Sequence, residues 1–105
     1  MAQKKIIWTE TAARQRRSIL EYWLNRNQSP TYPLKLLALS NQKAEFIALN
    51  PYLFKTAEFP DTRVVSMGHY SLFYKISDQS IIITAFWDNR QDPKKLLEHL
   101  RNQTK

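Results

Sequence analysis

The chain of 105 residues contains no cysteine, which excludes disulfide scaffolds, thiol catalysis and every zinc site built on thiolates. That absence suits a reducing compartment. It holds a single glycine, Gly68, so the phosphate-cradling loops that need several residues without a Cβ are excluded as well. The two histidines, His69 and His99, stand far apart and form no local ligand motif, and the expectation is no metal and no cofactor. Long hydrophobic runs are missing too: stretches such as Ile81-Ile82-Ile83 fall far short of the roughly 20 apolar residues of a bilayer span. The opening Gln3-Lys4-Lys5 carries no apolar export segment. These features lead us to expect a soluble, cytoplasmic protein with no membrane partner.

What is present is globular in kind, with 43% hydrophobic and 24% charged residues, and the length suits one domain over residues 1–105. The net charge of +7 is unevenly spread, with +5 in residues 1–35, none in residues 36–87 and +2 in residues 88–105. Clustered arginine and lysine suit a polyanionic partner, nucleic acid or an acidic protein segment, through counterion release and steering. A solvated helix face has the same composition, so charge leaves both readings open.

Periodicity gives the elements. Lys4 to Trp8 is β-branched and aromatic and reads as a strand, and Thr9 can cap the helix that follows. Over residues 11–25 the apolar set Ala12, Ala13, Ile19, Leu20, Trp23 and Leu24 recurs at helical spacing. A second helix is predicted to start at Pro33 and stop at Asn50-Pro51, with Leu36, Leu37, Ser40, Ala44 and Ile47 inward, forming a helical hairpin. Residues 51–61 read as a loop with Tyr52, Phe54 or Phe59 as buried anchors. Three β segments follow: Arg63 to Met67, the alternating Tyr70 to Ile76, and the nearly continuous apolar run Ile81 to Trp87, which suggests a central strand. Gly68 falls where a hairpin needs positive φ. Asp92-Pro93 then opens a short helix with Leu96, Leu97 and Leu100, fraying in its final polar residues. The order implies an α+β architecture with helices on one face of a mainly antiparallel sheet.

The segment from Trp87 to Pro93 is the most suggestive, because an apolar strand hands over there to polar, stacking and cationic groups. Arg90 can hold a phosphate and Trp87 can stack a base; equally, Trp87 can be core and Arg90 a loop clamp on Asp88 or Asp92. Arg63 can share a groove with Arg90 if their strands are adjacent, or pair with Asp61. His69 can act as a general base beside Tyr70 or simply lie exposed in the turn, and His99 is expected at the surface. Arg14, Arg16 and Arg17, with Lys4 and Lys5, form either an electrostatic footprint or a solvated face.

Ile6-Ile7-Trp8-Thr9 with Ala12, the helix end Leu49-Asn50-Pro51, Arg63, the run Tyr70 to Ile76, and Trp87-Asp88-Asn89-Arg90-Gln91-Asp92-Pro93 resemble, in order and spacing, the RelE/ParE superfamily. Its members are toxins of bacterial type II toxin-antitoxin systems. The resemblance covers Lys4 to Leu96 and implies an N-terminal strand and helical hairpin on a twisted, mainly antiparallel sheet of about four strands, with a short C-terminal helix. It also implies a short, acidic, partly disordered antitoxin whose complex sets the oligomeric state, and a basic concavity near the sheet's end.

RelE-like members cleave ribosome-bound mRNA without a metal, whereas ParE-like members poison DNA gyrase. Arg90 matches the arginine that follows the last strand in both branches. Ser71 and Leu96 stand where RelE-like enzymes place an arginine and a tyrosine, so the sequence leans toward a ParE-like or catalytically divergent toxin. A nuclease reading would need Arg63, Tyr74 or His69 beside Arg90 to supply the chemistry. Target contacts are expected from Arg90, Trp87, Asn89, Lys94, Lys95 and His69. A basic domain whose sole partner is the antitoxin is the third reading.

Overall fold

The computed structural model describes residues 3–102. Strand β1 (Lys5–Trp8) leads directly into helix α1 (Glu10–Asn27), where Thr9 is the cap and its Oγ1 accepts the Ala12 amide hydrogen at 3.1 Å. Gln28 closes α1 in the left-handed region, at φ 52°, and the chain re-enters helix at α2 (Thr31–Leu49). This helix starts two residues before the expected Pro33. The first-turn amides of a helix have no intrahelical acceptor, so a proline anywhere in that turn forfeits nothing, and the Leu34 amide already bonds Pro30 at 2.9 Å.

Strands β2 (Arg63–Met67), β3 (Tyr70–Ile76) and β4 (Ser80–Asp88) precede helix α3 (Pro93–Asn102), and the sheet order is β1-β4-β3-β2. β1 runs parallel to β4, whereas the other neighbours are antiparallel. Gly68 has φ +71°, and a Cβ at that position would meet nothing within 4 Å, so it is the backbone angle and not crowding that favours glycine in this turn. The Asp92 carboxylate accepts the Lys94 amide hydrogen at 2.9 Å, as a cap for α3. The expected fraying of the last polar residues, 103–105, lies outside the described residues. No helix among the described residues is long and apolar enough to cross a membrane.

The sheet carries two cores, which corrects the expectation of helices on one face. Ala12, Leu36, Ile47, Leu72, Tyr74 and Ile83 pack beneath the α1–α2 hairpin. On the opposite face Phe73, Ala85, Trp87 and Leu100 pack with Phe59 and Leu96. A bulge sets which residues of β4 face each core: Tyr74 pairs with Ile83 but Phe73 pairs with Ala85, leaving Thr84 as an extra residue in β4. Ile81 and Ile83 therefore face the hairpin before the bulge, and Phe86 does so after it, while Ala85 and Trp87 turn toward α3. Because α3 and the loop before β2 cover the second face, β3 is buried on both faces along Tyr70 to Tyr74, where simple alternation predicted one wet face. Of the expected inward residues, Leu24 is 44% exposed near the hairpin turn, and the loop anchor Tyr52 is 69% exposed while Phe54 and Phe59 are half-buried.

Candidate functional site

The end of β4 presents Arg90 on a braced turn. The Arg90 guanidinium donates through Nε and Nη2 to the two Asp88 oxygens at 2.9 and 3.0 Å, and the Arg90 amide donates to the same carboxylate at 2.9 Å. The turn is anchored to the preceding hairpin, because the Asn89 amide donates to the His69 carbonyl at 2.8 Å and the Ser71 hydroxyl donates to Asn89 Oδ1 at 2.9 Å. The hydrogen bonds from Arg90 hold the Asp88 carboxyl below the ordinary carboxylate range, and they raise the Arg90 guanidinium in turn. Arg90 nonetheless keeps its side chain 54% exposed. It is a braced cation that stays accessible at the surface.

Beside it lies an aromatic wall supplied by the tip of the helical hairpin. Trp23 donates its indole hydrogen to the Tyr70 hydroxyl at 2.7 Å, and Tyr22 and Tyr32 meet the Trp23 ring edge-on at 5.1 and 5.2 Å. The Arg90 guanidinium sits 5.9 Å from the Tyr70 ring centroid. Burial raises the Tyr32 hydroxyl above its usual range, and Tyr70 adds to the shift. Between this wall and the Asp88–Arg90 turn is a cleft of about 580 Å³, with Arg26 at its rim.

The other candidates are dispersed. Arg63 and Arg90 do not share a groove: β3 separates their strands, and Arg63 pairs with Tyr74 while Met67, four positions on, pairs with the Tyr70 that faces Asp88. Four strand residues span about 13 Å, so the two arginines occupy opposite ends of the sheet. Arg63 is not an ion-pair partner of Asp61 either; its Nη1 donates to the Phe54 carbonyl at 2.6 Å. Tyr74 is fully buried, and its hydroxyl donates to the Pro51 carbonyl at 2.7 Å. Burial raises the Tyr74 hydroxyl. Both residues pin the loop before β2.

Trp87 corrects the stacking expectation, because its ring is 6% exposed in the α3-side core. His99 is half-buried and not a surface residue, with its ring 5.6 Å from that of Trp87. Lys94 and Lys95 are exposed in the first turn of α3, and Asn89 and His69 are exposed at the sheet end near Arg90. The arginine triplet divides: Arg14 and Arg17 are exposed, whereas Arg16 lies 3.9 Å from the Trp8 ring centroid and donates to Ser40 Oγ and Asn41 Oδ1 at 3.0 and 2.8 Å. Desolvation lowers the Arg16 guanidinium. Sequence reasoning did not single out Tyr22, and it left Arg26 and Tyr32 in an expected connection over residues 25–33, although the four-residue spacing of Arg14, Ser18, Tyr22 and Arg26 marks a single stripe.

Among solved structures, the chromosomal ParDE toxin-antitoxin system from P. aeruginosa includes a chain similar at 17% identity and a TM-score of 0.71, over 82% of this chain and 96% of that one. The toxin-antitoxin complex RelBE2 from Mycobacterium tuberculosis gives 17% identity and 0.57, over 83% and 99%. At these identities the likeness shows the fold. No curated protein sequence matches significantly. Residues 6–93, from β1 through the Arg90 turn to the start of α3, match the family described as ParE toxin of the type II toxin-antitoxin system parDE, and the chain belongs to that family.

Proposed function

We propose that this toxin arrests growth in the cytoplasm by binding DNA gyrase, in the manner of the ParE-like branch, and that a short acidic antitoxin neutralises it. The separation of Arg90 from Arg63 and Tyr74 carries this reading. Metal-free RNA cleavage needs a base for the 2′-hydroxyl, an acid for the leaving oxygen and cations on the scissile phosphate, and each acid or base step contributes roughly 10² to 10⁴ in rate. Tyr74 and Arg63 spend their donors on loop carbonyls at the far end of the sheet. Ser71 is buried against Asn89, and Leu96 packs into the α3-side core. Arg90 with its aromatic neighbours is thus better equipped to bind than to catalyse. Both similar structures are described as toxin-antitoxin assemblies, which supports an antitoxin here.

Induction of the wild type and of Arg90→Ala at matched soluble levels tests the proposal. The expected result is gyrase-dependent DNA breaks before any fall in translation, weakened in the variant. Discrete cuts in ribosome-bound mRNA that vanish in Arg90→Ala or His69→Ala would overturn it in favour of RelE-like cleavage.

A further inference from the structure

Ser71 is a small polar residue in a stretch of β3 that is otherwise aromatic and leucine, Tyr70 to Tyr74. It pairs with Trp87, so it lies on the α3-side face, and it is 4% exposed. A buried hydroxyl needs a partner, and this one donates at 2.9 Å to Asn89 Oδ1, just past the end of β4. Asn89 and Arg90 are the central residues of a turn that the Gln91 amide closes on the Asp88 carbonyl at 3.0 Å. Within it the Asp88–Arg90 pair clamps two residues and leaves the one between them, Asn89, to be fixed by other bonds. Asn89 has two: its amide donates to the His69 carbonyl at 2.8 Å, and its side chain accepts from Ser71. The first is main-chain to main-chain, so only the second depends on the identity of a side chain in β3.

We propose that Ser71 is a positioning residue for Arg90: by holding Asn89, it fixes the direction in which the next residue presents its guanidinium to the target. The inference rests on Arg90 being the target-binding cation of the reading above, and it gives a buried serine a part in that binding. At 4% exposure Ser71 offers a partner no surface of its own, so its effect on binding has to pass through the residues that it holds. Asn89 is exposed, so in the absence of the hydroxyl water can satisfy Oδ1 and the fold loses little. What water does not supply is a fixed point in the sheet, and the turn is then free to swing the arginine away from its productive direction.

The test compares three variants of the full chain: Ser71→Ala, Ser71→Thr, which keeps a hydroxyl, and Ser40→Ala, which removes a buried hydroxyl that serves Arg16 and Leu37 instead. Ser71→Ala is expected to raise Kd for purified gyrase about tenfold and to weaken growth arrest at matched soluble levels, while its melting temperature stays within about 4 °C of the wild type. By NMR the Asn89 amide should exchange with solvent about tenfold faster in this variant. Ser71→Thr should restore all three readouts, and Ser40→Ala should leave affinity and Asn89 exchange unchanged. In an Arg90→Ala background Ser71→Ala should cost nothing further, because the group that it positions is gone. Unchanged affinity and exchange in Ser71→Ala would overturn the inference. So would an equal loss with Arg90 already removed, or from Ser40→Ala, since either makes the serine a general support of the fold. If the wild type binds no gyrase, the proposed function falls, whereas growth arrest and Asn89 exchange still decide the role of Ser71.

Discussion

Arg90 and Asp88 make a short-range pair in which each group sets the other's ionisation and geometry. The carboxylate is held low, so its contribution to stability is fully present above the unfolded value of about 3.9 and is lost as pH falls through the lower folded value. Urea unfolding of wild type and Asp88→Asn is therefore expected to show a small, constant difference between pH 5 and 8 that closes as pH falls below about 4. Function should respond more than stability: Arg90→Ala is expected to reduce toxicity well beyond Lys95→Ala, because Lys95 has no comparable brace in the first turn of α3. Growth assays at matched expression decide it. Tyr74→Phe makes the converse case. Removing its hydroxyl leaves the Pro51 carbonyl without this donor, at about 1 to 2 kcal/mol, yet toxicity at permissive temperature should persist.

At the scale of elements, the bulge at Thr84 decides which side chains meet. Pairing Thr84 into a regular strand would send Phe86 to the α3 face and Trp87 to the hairpin face, and misplacing one such aromatic costs as much as the roughly 3 to 5 kcal/mol of truncating it; deleting Thr84 instead removes only the extra residue and leaves Ala85, Phe86 and Trp87 on the faces they occupy now. The deletion is therefore expected to keep a cooperative thermal transition by circular dichroism, as is Thr84→Val. This is also where the sequence stopped being legible. Thr9, Gly68 and Asp92 announced their caps and turn because local backbone chemistry dictates those residue types. The run Ile81 to Trp87 is apolar at nearly every position, so no periodicity could report a register shift inside it, and Trp87 read equally well as core or as stacking surface. Arg90 stood out as the end of a strand, but the bracing by Asp88 and the remoteness of Arg63 depend on strand order, which hydrophobic patterning does not encode.

Across the whole molecule, exposed cations gather along α1 and at the Arg90 end, while the Arg63–Tyr74 end is given over to holding a loop. An acidic partner bound along the cationic side should dissociate more readily as salt rises, and calorimetry between about 0.05 and 0.5 M NaCl is expected to show Kd increasing steadily. The parallel pairing of β1 with β4 bears on when the protein becomes harmful. Lys5 meets Ser80 and Trp8 meets Ile83, so the first strand synthesised finds its neighbour only after most of the chain has left the ribosome. Contacts of such long sequence separation carry a large closure entropy and form late. The Arg90 turn follows that strand directly, so an interrupted chain lacks both the completed sheet and the cation that it displays. Translation thus delivers the toxin all at once, and an antitoxin has until the last strand docks to be waiting for it.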